Sequence, residues 1–387
     1  MFNYHIPTKI YFGENQLEKI PEAISGFGKK ALLVYGGSSI KKNGLYDIVC
    51  KKLNEAGVTV FECSGIEPNP KVDSVRAGIK LCKEEKIDFV FAVGGGSVID
   101  AGKFISAGAC VNHDVWEFIS CGKPVTKVLP LFSVLTIAAT GSEMDNTAVL
   151  SKPETLEKKA LINDKLFPVA SFCVPSLTYS VNAYQTACGS ADILSHIMEV
   201  YFNENQNLFM LDTQMEGMMK TVVRFAPEAI LHPENYEARA NLMWTSSWAI
   251  NGYIYGCEKN PWSCHPIEHQ MSAVYNITHG LGLAIVTPRW MEFVLDENNA
   301  EKFCRFGKEV FSLEIPSDKI AGAKKAIECL KDFFFNKLSL PSTLSEIGIG
   351  SEKFDFMAEN ACGKNGFING WKKLFPSDVK EIYSRCL

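Results

Sequence analysis

The chain has 387 residues, of which 47% are hydrophobic and 21% charged, and its formal net charge at pH 7 is −5. This length predicts two domains, each with its own apolar core. The charge balance offers no basic excess to attract phosphate backbones, so we expect no nucleic-acid partner.

The N-terminal residues and the cysteines indicate where the protein resides. The N-terminus lacks a basic region followed by an apolar stretch, so no export signal is predicted. The longest apolar run, 128–139, is shorter than the roughly 20 residues that span a bilayer. The 13 cysteines show no Cys-x-x-Cys spacing, which is typical of reduced thiols. We therefore expect a cytoplasmic protein with no membrane partner.

The first half of the sequence alternates β-rich runs with amphipathic stretches. Five runs are predicted strands: 31–35, 58–62, 89–93, 128–137 and 171–174. Segments 44–56 and 72–85 carry apolar residues at helical spacing. Such alternation predicts a parallel sheet covered by helices.

After about residue 179 the sequence pattern becomes helical. Long runs of helical periodicity replace the β-branched clusters: 187–202, 208–226, 236–254 and 321–337. We therefore predict an α/β plus all-α fold with two domains. Residues 1–179 form a dinucleotide-binding α/β domain, and residues 180–387 form an all-helical domain that binds metal and carries catalysis.

A glycine-rich turn, Gly94-Gly95-Gly96-Ser97, directly follows the predicted strand 89–93 and opens a helix. A turn without side chains lets backbone amides approach a diphosphate, and the helix N-terminus adds positive partial charge. The turn does not match the Gly-x-Gly-x-x-Gly fingerprint. The alternative is a tight strand-to-helix turn that binds nothing.

A second turn, Gly36-Gly37-Ser38-Ser39, follows the strand that ends at Tyr35. Dehydrogenases that prefer NAD commonly place an acid near the adenosine ribose. This turn carries no acid, and Ser38, Ser39 and Lys41 are able to tolerate or bind a phosphate. The turn therefore predicts NADP(H) rather than NAD(H), the alternative being a plain surface turn.

Acidic and imidazole side chains in the helical half form a candidate metal site. Asp192 and His196 are four residues apart and so share one face of a helix. In one unbroken helix, His265 and His279 would stand about 21 Å apart. Both can reach one ion only if the helix breaks near 275–278, where an Asn, a Thr and the glycines just beyond favour a break. The alternative is that these are ordinary core or surface groups.

A competing motif overlaps this set, because His265-Pro266-Ile267-Glu268-His269 matches the His-x-x-Glu-His pattern of inverted zinc peptidases. On that hypothesis His265 and His269 bind zinc and Glu268 activates water. A five-residue pattern arises readily by chance, and a peptidase leaves the nucleotide-type first half unexplained. We therefore disfavour a metallopeptidase.

The sequence resembles the iron-containing (group III) alcohol dehydrogenases, in particular their branch of butanol dehydrogenases and NADPH-dependent aldehyde reductases. Several motifs carry this resemblance: Tyr11-Phe12-Gly13, Gly94-Gly95-Gly96-Ser97, Thr140-Gly141-Ser142-Glu143, Cys264 to His269, Ser272-Ala273 and Thr278-His279-Gly280. The resemblance implies a dehydroquinate synthase-like fold, with a Rossmann-like N-terminal domain, a helical C-terminal domain, and cofactor and metal in the cleft. It also implies a homodimer.

The resemblance further implies site residues. One divalent metal, expected to be Fe²⁺ with Zn²⁺, Ni²⁺ or Co²⁺ open, would be bound by Asp192, His196, His265 and His279, and His269 would handle protons. Cofactor contacts would fall on Gly37, Ser38, Ser39, Gly95, Gly96, Ser97, Asp100, Thr136, Thr140, Ser142, Lys158 and Leu177. NAD-preferring members often carry Asp at the position of Gly37. Two departures from the family pattern are Val174, usually Asp, and Cys188, usually Asn.

These expectations predict an enzyme that interconverts small primary alcohols and aldehydes, such as butanol and butanal, with NAD(P)H. The metal would stabilise the charge that develops on the carbonyl oxygen, and His269 would supply the proton. The rival hypotheses are a zinc glycerol or diol dehydrogenase of related fold, the metallopeptidase, and a catalytically silent metal- or nucleotide-binding scaffold.

Overall fold

A computed structural model describes residues 4–203, 209–256 and 261–387 of the chain. The chain divides into two compact units. The N-terminal unit is His5–Ser180, and the C-terminal unit is Val181–Leu387 and also includes Tyr4. Within the described ranges, every helix is too short or too polar to cross a bilayer.

The N-terminal unit alternates strands and helices, as its sequence pattern predicts. Its strands are β1 (Lys9–Phe12), β2 (Lys30–Tyr35), β3 (Thr59–Cys63), β4 (Phe89–Gly94), β5 (Leu131–Leu135), β6 (Thr147–Lys152), β7 (Glu157–Ile162) and β8 (Ala170–Cys173). Its helices are α1 (Ile20–Ala23), α2 (Ser39–Lys42), α3 (Leu45–Glu55), α4 (Val72–Glu85), α5 (Gly96–Gly108) and α6 (Glu117–Ser120).

Six of these strands form a parallel sheet in the order β1-β8-β5-β4-β2-β3. The central strands β2, β4 and β5 are buried along nearly their whole length, which explains their continuous apolar runs. The chain passes from β2 to β3 on one side and then returns to β4 on the other side of β2. Ligands of such sheets bind at the carboxyl ends of the strands where the order reverses, here between β2 and β4.

The predicted strands correspond to β2, β3, β4, β5 and β8, and three strands were missed. The predicted run 128–137 is shortened to β5, which begins just after Pro130, a residue without an amide to donate. β1 has only four residues, too few to show the alternation of apolar and polar residues that marks a strand. The antiparallel hairpin of β6 and β7 contains exposed lysines and a proline in its turn, so its sequence shows little of the apolar alternation that marks a strand.

The C-terminal unit is helical over its described part. Its helices are α7 (Ala183–Tyr201), α8 (Phe209–Leu231), α9 (Tyr236–Ala249), α10 (Cys264–Tyr275), α11 (His279–Val294), α12 (Ala300–Phe311), α13 (Lys319–Lys331), α14 (Phe354–Cys362) and α15 (Pro376–Arg385). A π-helix, Asp332–Lys337, continues α13 and completes the predicted helical run 321–337.

The predicted break between His265 and His279 is confirmed. α10 ends at Tyr275, and Asn276 takes the left-handed conformation with φ of 52°. Thr278 then precedes α11, whose first residue is His279. The chain therefore reverses within three residues, and His279 stands at a helix N-terminus.

Candidate active site

Helix α7 supplies one half of the candidate metal site. Asp192, His196 and Glu199 follow one another at helical spacing, so all three face the same direction, and all three are buried. The Nε2 atom of His196 lies 3.5 Å from Oδ1 of Asp192. This geometry is consistent with the prediction that Asp192 and His196, four residues apart, share one face of a helix.

Helices α10 and α11 supply the other half. The Nε2 atom of His279 lies 3.7 Å from Oδ1 of Asp192. The ring of His265 lies 5.3 Å from that of His279 and stacks on that of His196 at 4.9 Å, centroid to centroid. Asp192, His265 and His279 offer ligand atoms that all lie within 4.8 Å of one another. Three of the four residues predicted to bind metal are thus within range of one ion, and His196 lies against Asp192 and His265. We name Asp192, His196, His265 and His279 the histidine cluster.

A glycine allows this approach of α11 to α7. A Cβ atom on Gly280 would lie 1.9 Å from the carbonyl oxygen of Cys188, so only glycine fits there. Cys188, which replaces the family's usual Asn, lies one turn before Asp192 and is buried. Burial raises the pKa of its thiol to about 12, which leaves it neutral at physiological pH.

Two buried glutamates orient the histidines. Glu199 Oε1 lies 3.0 Å from Nδ1 of His265, and the same carboxylate accepts the backbone N–H groups of Ser263 and His265 at 2.7 Å each. Glu268 contacts Nδ1 of His279 and accepts the Ser272 hydroxyl on its other oxygen. A proton on Nδ1 shared with a carboxylate leaves Nε2 of each ring as a lone-pair donor.

Sequence reasoning missed the role of these glutamates. Glu199 lies seven residues after Asp192, on the same helical face, and that spacing was a usable signal. Glu268 was considered only as a peptidase base. Both of its oxygens are engaged by Ser272 and His279, and the residue is fully buried, so it does not present a carboxylate to water. This geometry argues against the metallopeptidase hypothesis.

The histidine cluster fits a divalent metal ion. Nε2 of His265 is buried and has no hydrogen-bond partner among the described residues, an arrangement that a bound ion explains. Burial, followed by the neighbouring His265 and His279 rings, holds the pKa of His196 well below its ordinary range, so the ring is neutral. Three imidazoles and one carboxylate are ligands typical of divalent transition metals.

A second grouping of ligand atoms involves Glu268, His269 and His279. We favour the histidine cluster, because the proximity in this second group comes from the hydrogen bond between Glu268 and His279. His269 is half-buried, with its ring 5.4 Å from that of His279 and 6.2 Å from that of His265. It therefore stands beside the cluster.

The predicted cofactor residues lie in the N-terminal unit, mostly just after the carboxyl ends of neighbouring parallel strands. Gly37, Ser38 and Ser39 follow β2 and are exposed, and a Cβ atom on Gly37 would meet nothing within 4 Å. Leu177 lies in a short 3₁₀ turn, Pro175–Thr178, just after β8, and Lys158 is buried on β7. Val174, a departure from the family pattern, is buried at the start of that turn.

The glycines after β4 are required by the packing of the chain itself. A Cβ atom on Gly95 would lie 2.3 Å from Cγ2 of Ile137, and one on Gly96 would lie 2.1 Å from Oγ1 of Thr140. Ser97 follows them in the first turn of α5. The tight-turn alternative thus accounts for these glycines by itself, and their contact with a diphosphate stays a prediction.

Asp100 and Ser142 bind each other. The hydroxyl of Ser142 donates to Oδ1 of Asp100 at 2.6 Å, and the amide of Val149 donates to Oδ2 at 2.9 Å. Asp100 thereby holds the loop that carries Thr140, whose Oγ1 accepts the Ser142 amide at 3.2 Å. The amide of Thr136 donates to Gly94 at 3.0 Å, which ties β5 to the glycine turn. This geometry makes Asp100 a positioning residue, and its direct contact with a cofactor stays a prediction.

A buried lysine completes this region and was not foreseen. The ammonium of Lys103 is inaccessible to solvent and pairs with the Asp145 carboxylate. It also donates to the backbone carbonyls of Asp145, at 3.0 Å, and Thr147, at 2.7 Å. Its three donors are therefore all used. We name Asp100, Lys103 and Asp145 the lysine cluster.

Comparison with known proteins identifies the family. The family profile described as "Iron-containing alcohol dehydrogenase" matches residues 7–175, and that described as "Fe-containing alcohol dehydrogenase family, C-terminal" matches residues 186–387. The chain belongs to the iron-containing alcohol dehydrogenase family. The predicted resemblance and the fold class, a parallel-sheet unit followed by a helical unit, are confirmed.

Relatives within the iron-containing alcohol dehydrogenases match along 90% or more of this chain. The NADH-dependent butanol dehydrogenase A of Clostridium acetobutylicum is 43% identical over 385 residues, which cover 99% of each chain. The NADPH-dependent aldehyde reductase YqhD of Escherichia coli is 35% identical, over 90% of this chain and 89% of its own. The crystal structure of NADH-dependent butanol dehydrogenase A from Thermotoga maritima superposes with a TM-score of 0.95 at 38% identity and covers 100% of this chain and 98% of its own. These names do not support a preference for NADPH over NADH.

Proposed function

We propose that this member of the iron-containing alcohol dehydrogenase family interconverts small primary alcohols and aldehydes, such as butanol and butanal. The observation that carries the proposal is the histidine cluster, in which Asp192, His265 and His279 converge, the His196 ring stacks on that of His265, and Nε2 of His265 has no hydrogen-bond partner among the described residues. A divalent ion held there supplies a Lewis acid for the carbonyl oxygen, and a bound nicotinamide dinucleotide supplies hydride.

The residues of the chain prepare this site in three ways. Glu199 and Glu268 fix the tautomers of His265 and His279, so that both rings present Nε2 to the ion. The indole of Trp262 lies 4.5 Å from the His265 ring and gives the cluster an apolar neighbour. His269, half-buried beside His279, is proposed to deliver the proton that the reduced carbonyl requires.

The family description favours Fe²⁺ as the resident ion. The ligand set itself accepts Fe²⁺, Zn²⁺, Ni²⁺ and Co²⁺, and affinity alone does not choose among them. We propose Fe²⁺, tested by comparing turnover after loading the metal-free protein with each ion.

The dinucleotide is proposed to bind at the carboxyl ends of β2 and β4. The exposed hydroxyls of Ser38 and Ser39, and the lack of an acid in the turn 36–39, support the use of NADPH. The ammonium of Lys41, which the sequence offers as a phosphate ligand, instead lies 3.2 Å from Glu62. We therefore propose that both dinucleotides are used, with neither preferred by more than about tenfold, which corresponds to ~1.4 kcal/mol.

The proposal is tested with purified chain loaded with single metals. Oxidation of NADPH and NADH is followed over a series of aliphatic aldehydes, with glycerol and 1,2-diols in the reverse direction. We expect metal-dependent reduction of butanal that exceeds any diol activity. Superior diol oxidation with zinc would favour a glycerol dehydrogenase, and dinucleotide binding without turnover would indicate a silent scaffold.

The homodimer implied by the resemblance is a separate proposal. Light scattering of the metal-loaded protein tests it, with twice the chain mass as the expected result and the chain mass as the contrary one.

A further inference from the structure

A cluster of four side chains surrounds the base of the turn 36–39. Glu62, on β3, accepts the hydroxyl of Tyr35 on one oxygen and the hydroxyl of Tyr46 on the other, the latter at 2.5 Å. The ammonium of Lys41 lies 3.2 Å from Glu62 and 4.5 Å from the centroid of the Tyr46 ring. Glu62 therefore accepts hydrogen bonds from two hydroxyl groups and forms an ion pair with one ammonium group.

The cluster lies where the proposed function puts the adenosine ribose. Tyr35 is the last residue of β2, and Lys41 follows the exposed turn within the short helix α2. β3 pairs with β2 in parallel register, Cys63 beside Val34, which brings Glu62 to the same edge of the sheet. The acid that the turn itself lacks is thus supplied by the neighbouring strand.

The ion pair is open to a ligand. The side chains of Lys41 and Glu62 remain 47% and 40% exposed. Exposed pairs of this kind are weak, so a dinucleotide phosphate competes with the carboxylate for the ammonium at small cost. A lysine released from its carboxylate attracts a 2′-phosphate as a point charge, whereas a lysine paired with Glu62 has that charge offset.

We propose that Glu62 sets the dinucleotide preference of the enzyme by withholding Lys41 from the 2′-phosphate of NADPH. This inference rests on the proposed binding of a dinucleotide at the turn 36–39. Glu62 is a positioning residue in this role, because it acts through Lys41. The two tyrosine hydroxyls hold its carboxylate in place.

The test is the Glu62→Gln variant, which keeps the size of the side chain and one acceptor oxygen but removes its charge. Dissociation constants for NADPH and NADH are measured by nicotinamide fluorescence on the metal-loaded protein. We expect NADPH to bind about fivefold more tightly than to the wild type, with NADH changed less than about twofold. Raising the salt concentration is expected to shrink the gain in NADPH affinity.

Two further variants complete the design. Lys41→Met combined with Glu62→Gln is expected to abolish the gain, since the gain depends on the released ammonium. Glu18→Gln is the matched control, because the exposed Glu18 carboxylate pairs with Lys52 in the same unit. The ratio of its NADPH and NADH affinities is expected to equal that of the wild type.

The outcomes separate this inference from the proposed function. Two results would overturn the role of Glu62 but leave the proposed function standing. In the first, Glu62→Gln binds both dinucleotides with the wild-type ratio of affinities. In the second, the double variant gains as much NADPH affinity as Glu62→Gln does. Failure of the wild-type protein to bind either dinucleotide would contradict the proposed function, and the inference with it. Thermal unfolding of each variant establishes that it is folded when binding is measured.

Discussion

The histidine cluster and the lysine cluster are both buried sets of ionisable side chains, yet they differ in how fully the chain satisfies them. Lys103 directs all three of its donors to oxygens of the chain, and Asp100 receives a hydrogen bond on each oxygen. In the histidine cluster, Nε2 of His265 is buried and has no hydrogen-bond partner in the part of the chain that the structure describes. Complete satisfaction indicates structure, whereas an unmet lone pair indicates a ligand.

The largest effect is expected from breaking the histidine cluster with His265→Ala. Loss of one imidazole removes a ligand whose Nε2 points at the shared centre, so bound metal is expected to fall from one ion per chain to a small fraction. Aldehyde reduction is expected to fall at least about a thousandfold. Metal analysis and the NADPH-linked assay check these outcomes.

His232→Ala is the matched control, because His232 is exposed and outside the cluster. It is expected to keep both metal and activity. A His265→Ala protein with wild-type metal content and turnover would show that His265 is not a ligand.

The converse variant, Lys103→Met, breaks the lysine cluster. Removal of the ammonium leaves Asp145 buried without its cation, and such a loss costs about 3–5 kcal/mol of stability. A clear drop in the thermal unfolding midpoint is expected, while metal per folded chain stays at the wild-type value.

Lys80→Met provides the comparison for that variant, since Lys80 is exposed on α4 and pairs only loosely with Glu84 at 3.8 Å. Its stability is expected to change by less than about 0.5 kcal/mol. Equal thermal unfolding midpoints for Lys103→Met and Lys80→Met would show that Lys103 does not stabilise the fold.

A smaller effect is expected when the orienting carboxylates are neutralised. Glu268→Gln and Glu199→Gln keep their shape but weaken the acceptor for His279 and His265, so metal affinity is expected to fall about 10- to 100-fold in each. Competition with a metal chelator measures this loss. Unchanged affinity in both variants would mean that these carboxylates do not tune the cluster.

The smallest effect is a pH dependence at Asp100. Burial raises the pKa of this carboxyl from 3.8 to about 6, so its contribution to stability is fully present below about pH 4 and is lost as the pH rises through about 6. Asp100→Asn lacks this titration and is therefore expected to be more destabilising at pH 4 than at pH 7. Unfolding midpoints of both proteins across this range measure the difference, and a constant difference would contradict the assignment.

Local patterns in the sequence were sufficient to predict much of the architecture. Continuous apolar runs mark the buried strands β2 and β4, and the Asn and Thr at 276 and 278 mark the break that presents His279. In the four-residue β1 and the charged strand β7, the alternation of apolar and polar residues is too weak to be recognised.

The side-chain pairs that the sequence did not reveal join residues that are distant in the chain and meet only in the folded structure. No local pattern pairs Lys41 with Glu62, twenty-one residues later, because the pairing arises only when β2 and β3 align. The same holds for Lys103 and Asp145, which are forty-two residues apart. The prediction of NADPH preference treated Lys41 as free, and the neighbouring strand removes that premise.

Anomalous diffraction from crystals of the protein loaded with one metal tests the central claim most directly. We expect a single peak per chain, bonded to Asp192, His196, His265 and His279 at about 2.0–2.2 Å, the usual range for nitrogen and carboxylate ligands. A peak held by other residues, or a fully loaded crystal without a peak in this cluster, would contradict the account.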